Sequence, residues 1–87
     1  MKVRALVARN LRRLRVRRTL SQENLAVDAG IDRTYVSRLE RGLENPTVNI
    51  LERLATALHS DIVEFFAKPR PGEPPPKPLK GGRRPGR

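Results

Sequence analysis

The 87-residue chain is long enough for one small domain, and without Cys it can form neither a disulfide framework nor a Cys-ligated zinc site. Its formal net charge is +10, unevenly spread: residues 1–22 carry eight basic side chains and no acid, residues 23–67 four basic and eight acidic, residues 68–87 seven basic and one acidic. Two basic flanks around a mildly acidic centre suit a polyanion, nucleic acid before an anionic membrane surface. No apolar run approaches the ~20 residues that span a bilayer, and no continuous apolar stretch follows the basic N-terminus as a secretory leader requires.

The first predicted element is a core helix over residues 3–14. Val3, Val7, Leu11 and Leu14 recur at spacings of 4, 4 and 3, with Leu6 alongside. Arg4, Arg9, Arg12, Arg13 and Arg17 cover much of the remaining surface. A second helix is predicted over 21–29, with Ser21 as N-cap and Leu20 and Leu25 as a hydrophobic staple. Gly30 then supplies a left-handed residue at low cost. A third helix follows over 32–41, capped by Asp32, stapled by Ile31 and Val36, and ended by Gly42 at C′. Two short helices joined by so tight a turn form a helix-turn-helix, in which they cross steeply and the second protrudes.

The third helix has two unlike faces. At about 100° per residue from Arg33, Ser37 falls near 40°, Arg41 near 80°, Thr34 near 100° and Arg38 near 140°. Val36 near 300° and Leu39 near 240° lie opposite. The polar face carries side chains able to read base edges: Arg donates two hydrogen bonds to guanine O6 and N7, Ser and Thr reach several bases, and the Thr methyl meets that of thymine. Tyr35, at the border, can reach a phosphate with its hydroxyl. Most polar helix faces are only solvated. This one also has the caps, the turn and the preceding helix that would aim it outward.

A fourth helix opens at Thr47 after Pro46 and repeats Leu51, Leu54, Ala55 and Leu58 at i, i+3, i+4 and i+7. A short fifth helix is predicted at roughly 61–67, holding Ile62, Val63, Phe65 and Phe66. No β-type alternation appears, so the class is all-α. Residues 69–87, "PRPGEPPPKPLKGGRRPGR", hold seven of the eight prolines and a single large apolar residue, Leu79. Such a segment buries too little surface to offset its ordering entropy. The expected organisation is a folded domain over 1–67 and a disordered, basic Pro/Gly tail over 68–87. "GGRRPGR" matches minor-groove hooks poorly, and added non-specific affinity for DNA is the simpler role.

The string "LSQENLAVDAGIDRTYVSRLERGLENPTVNILERLATAL" resembles the phage-repressor (Cro and lambda-repressor) type of helix-turn-helix protein. "DRTYVS" is most similar to the controller proteins of restriction–modification systems. The resemblance runs from about Leu11 to Phe66 and implies a compact five-helix domain that binds double-stranded DNA as a homodimer. By it, Arg33, Thr34, Ser37 and Arg38 contact bases or nearby backbone. Gln22 contacts phosphate and supports the recognition helix, Tyr35 works against phosphate or in packing, Arg41 and Asn45 touch the DNA backbone, and Arg15 and Glu40 link helix 1 to helix 3. Glu40, near 340° on the helical wheel, sits at the edge of the buried face and needs such a partner. Ile62, Phe65 and Phe66 are implied for the dimer interface, one ring buried and one shared. Thr19 and His59 stand where the family often has Gly, pointing to tighter or differently capped turns, and Glu44 sets a negative charge beside the implied backbone contacts.

Catalysis has little to draw on. His59 is the single His, with no nucleophile beside it, and neither a Gly-rich phosphate loop nor a metal-ligand cluster is present. The expectation is a non-enzymatic transcriptional regulator, a repressor type working in the cytoplasm on the nucleoid, with no cofactor, metal or membrane. Two rival readings keep the fold: an antitoxin that binds a protein partner through its C-terminal tail, and a non-specific nucleic-acid binder driven by the basic flanks.

Overall fold

The computed structural model describes residues 2–77; residues 78–87, with "GGRRPGR" and Leu79, lie outside them. Four α-helices follow one another: α1 (Val3–Arg17), α2 (Gln22–Ala29), α3 (Arg33–Glu40) and α4 (Val48–Ala57). The fifth element is a 3-10 segment, Ile62–Phe66, and not the α-helix expected at 61–67. A run of only five residues, dominated by β-branched and aromatic types, gains little from α-helical propagation, and its shape is set by what it packs on. No strand occurs among the described residues.

α1 packs on α3 and on the 3-10 segment, α2 on α3 and α4, and α4 on the 3-10 segment. Between them lie Val7, Leu11 and Leu14 of α1, Leu25 and Ala26 of α2, Val36 and Leu39 of α3, Leu51 and Leu54 of α4, with Leu58 and Phe65. Ser21 Oγ accepts from Asn24 N at 3.0 Å, Asp32 Oδ1 from Thr34 N at 2.7 Å, and Thr47 Oγ1 from Ile50 N at 3.1 Å, so the three caps read from sequence are the ones formed.

The helices also share one way of ending. After each, the amide of the second residue beyond the last turn returns to a carbonyl five positions back: Leu20 to Arg15, Ile31 to Ala26, Leu43 to Arg38 and Ser60 to Ala55. The residue between is left-handed in every case. Gly30 (φ 71°) and Gly42 (φ 73°) take this conformation freely, whereas Thr19 (φ 55°) and His59 (φ 52°) take it against their Cβ. The turns at Thr19 and His59 are therefore not capped differently from a glycine turn; they have the same geometry at a cost. Thr19→Gly is expected to raise stability by about 0.5–1 kcal/mol, the left-handed strain of a β-branched residue outweighing the entropy of a new glycine. His59→Gly should give less, since His tolerates this region better. Thermal melts of the two variants check both values.

Asn10, 1% exposed, fastens the far end of the fold. Its Nδ2 donates to the Phe65 carbonyl at 2.9 Å and to the Ala67 carbonyl at 2.8 Å, while its Oδ1 accepts from Arg13 Nε at 3.0 Å. Phe65 is wholly buried and Phe66 is 43% exposed. This corrects the placing of Phe65 at a dimer surface, because the ring has no area left to share. Residues 68–77 form no helix and touch α1, where Arg9 Nη2 donates to the Pro74 carbonyl at 2.9 Å and lies 3.5 Å from Glu73 Oε2. The Arg70 amide, together with Arg9, holds the Glu73 carboxyl below the usual carboxylate range.

Candidate nucleic-acid interface

Three of the four basic residues in the acidic centre, Arg33, Arg38 and Arg41, fall on α3 or on the residue that follows it. Packing decides which way they face. Val36 and Leu39 are buried in the core, which turns Arg33, Thr34 and Arg38 to solvent, with Ser37 half-buried between them. Asp32 caps the Thr34 amide at the start of the helix, and Gly42 turns the chain away at its end, so the eight-residue helix is exposed along one side and braced along the other. Arg53 Nη1 of α4 approaches the Gly30 carbonyl at 3.4 Å and adds a tie to the turn.

The brace is a buried charge cluster. The side chain of Glu40 has no exposure, and that of Arg15 has 8%. Arg15 Nε donates to Glu40 Oε2 at 2.5 Å and its Nη2 donates to Oε1 at 2.9 Å, the bidentate fork–fork arrangement. Arg15 Nη1 donates to the Leu20 carbonyl at 2.8 Å. Gln22 Nε2 also reaches Glu40 Oε1, at 3.1 Å, and Arg12 Nε the same oxygen at 3.3 Å. One carboxylate on α3 thus joins α1 and the first residue of α2. Burial of two charges is tolerable only with this degree of hydrogen bonding. The contact from Gln22 is of the kind the resemblance implies, support of the recognition helix, whereas that of Arg12 was not foreseen from sequence.

The rim is less crowded. Arg41 and Asn45 are exposed, and Gln22 and Tyr35 are half-buried. Among the described residues none of the ion pairs uses Arg33 or Arg41. Arg38 does have a partner: its Nε donates to Glu44 Oε2 at 2.7 Å. Partial burial, and then the Glu44 charge, raise the Tyr35 hydroxyl above its ordinary pKa, so at neutral pH it remains a protonated donor. The face therefore offers guanidinium, hydroxyl and amide donors in a group. Among the described residues no cluster of side chains could hold a metal ion, and no helix is long and apolar enough to cross a membrane.

The residues that build this face lie inside a match to the helix-turn-helix family covering residues 11–65. An uncharacterized HTH-type transcriptional regulator, y4dJ, of Sinorhizobium fredii is 45% identical over 65 residues, spanning 75% of this chain and 84% of its own. A hypothetical transcription factor of Neisseria meningitidis is 46% identical over 68 residues, and the match spans 78% of this chain but only 64% of that protein's length. The crystal structure of the restriction–modification controller protein C.AhdI from Aeromonas hydrophila superposes with a TM-score of 0.71 at 41% identity, over 72% of this chain and 96% of that one. Fold, exposed α3 and sequence agree: the chain belongs to the helix-turn-helix family of DNA-binding transcriptional regulators.

Proposed function

We propose that the chain represses or otherwise regulates transcription by binding a palindromic duplex site as a homodimer, with α3 of each protomer in a major groove. The observation that carries this reading is the exposure of Arg33, Thr34 and Arg38 on a short helix whose opposite side is locked by the core and by Glu40. A helix fits the major groove of B-form DNA, where each base pair presents its own pattern of donors and acceptors. Arg33 and Arg38 are the base readers, assisted by Thr34 and Ser37. Gln22, Tyr35, Arg41 and Asn45 fix the docking through phosphates, which set register without carrying sequence information.

The second copy has a surface to meet. Val63 is 67% exposed and Phe66 43%, and both lie with Ile62 on the 3-10 segment. A two-fold dimer that serves two successive major grooves needs its α3 helices about 34 Å apart, one helical turn of DNA.

Selection of bound sequences from a random duplex pool tests the reading. Two inverted half-sites at about one-turn spacing are expected, and a preference for single, unrepeated sites would remove the dimer. Arg33→Ala should lose about 1–3 kcal/mol on the selected duplex and relax the preference at one base pair, with a smaller loss on a scrambled duplex. Equal losses on both would make Arg33 a phosphate contact.

A further inference from the structure

One of the two arginines read as base contacts is already held by a carboxylate. α3 ends in the left-handed Gly42, and the Leu43 amide returns to the Arg38 carbonyl at 3.0 Å, so the chain folds back and sets Glu44 beside the Arg38 side chain. Arg38 Nε donates to Glu44 Oε2 at 2.7 Å, and Nη2 lies 3.5 Å from the Leu43 carbonyl. Both side chains keep substantial solvent access, 45% for Arg38 and 27% for Glu44.

From this geometry we propose that Glu44 is a specificity-determining residue, one that turns Arg38 from a general phosphate-seeking cation into an oriented reader of guanine. A guanidinium has two useful edges, the side edge formed by Nε–H and one Nη2–H, and the end edge formed by Nη1–H and the other Nη2–H. Glu44 and the Leu43 carbonyl occupy the side edge, and the end edge is left. Two parallel N–H groups at that edge match O6 and N7 of guanine.

The carboxylate has a second effect of the same sign. It offsets the charge of Arg38 and adds an anion to the rim, so docking on phosphates alone becomes less favourable. The Tyr35 pKa, raised first by burial and then by the Glu44 charge, carries the same field as its second cause. Glu44 therefore lowers affinity for arbitrary DNA while pre-orienting one contact to the cognate site, and discrimination gains from both.

The role rests on the major-groove reading of α3, and the experiment separates the two. Wild type, Glu44→Ala, Glu44→Gln, Arg38→Ala and the Arg38→Ala/Glu44→Ala double variant are titrated against the duplex recovered from a random pool and a scrambled duplex of equal length and composition. Glu44→Ala should bind the scrambled duplex about 3–10-fold more tightly and the selected duplex about 3–10-fold more weakly. Glu44→Gln keeps an oxygen for Arg38 Nε, and should hold the selected duplex within about two-fold while still tightening on the scrambled one. In the Arg38→Ala background, removing Glu44 should cost nothing further on the selected duplex. Equal tightening of Glu44→Ala on both duplexes would reduce Glu44 to a repelling charge and overturn the proposal. So would a loss on the selected duplex that persists without Arg38. A wild-type chain that enriches no sequence from the pool overturns the major-groove reading itself, and the role of Glu44 with it.

Discussion

Glu40→Ala should cost about 3–5 kcal/mol of folding stability, because it strands a buried guanidinium. Arg15 would lose both bonds of its fork and keep only the Leu20 carbonyl, with its side chain 8% exposed. Gln22 and Arg12 would lose the same acceptor. For a small domain with a total of roughly 5–10 kcal/mol, that loss leaves the chain barely folded at physiological temperature. Urea and thermal denaturation measure it directly. Glu40→Gln should lose less, since the amide oxygen still accepts from Arg15. Glu44→Ala, which breaks an exposed pair, sets the contrast with an expected change of less than about 1 kcal/mol. A melt indifferent to Glu40→Ala would mean that α1, α2 and α3 hold together without their shared carboxylate.

Asn10→Asp is the second large effect, and it changes almost no volume. Asp keeps an oxygen for Arg13 Nε but has no N–H to give, so the Phe65 and Ala67 carbonyls lose their donors at 2.9 and 2.8 Å. Unpaired acceptors at a buried site cost about 1–3 kcal/mol each, and relief from Arg13 is partial, so a loss of about 2–4 kcal/mol is expected by denaturant titration. The effect should centre on residues 62–67, whose backbone Asn10 pins. An unchanged stability would show that Phe65 anchors this segment by packing alone.

Which features were legible in the sequence follows from the range of the forces involved. Caps are local, so Ser21, Asp32 and Thr47 could be read from the chain and α2, α3 and α4 open where they were expected. The outward side of α3 was legible because Val36 and Leu39 leave only one way to turn it. The 3-10 segment was not, since five residues show no period that separates Phe65 from Phe66. Asn10 does leave a signal in the sequence. It lies three residues after Val7 and four before Leu14, a lone amide inside an apolar stripe, and such a group must find partners. The two carbonyls to which it donates stand more than fifty positions away, and only the folded chain reveals them. The Arg38–Glu44 contact depends on a helix end and a left-handed turn acting together. Sequence pointed to Glu44 as a repelling charge and could not show that it already has a cation in hand.

Arg18 stands between the two strained helix ends. Its Nε donates to the Leu58 carbonyl at 2.8 Å and its Nη2 to the His59 carbonyl at 3.1 Å, and the next residue is Thr19. Its guanidinium thereby serves the negative pole of the α4 dipole, while its backbone is the C-cap of α1. Fraying at the end of α1 withdraws the donors that hold the end of α4. The last turns of α1 and α4, far apart in the chain, are thus tied through one side chain.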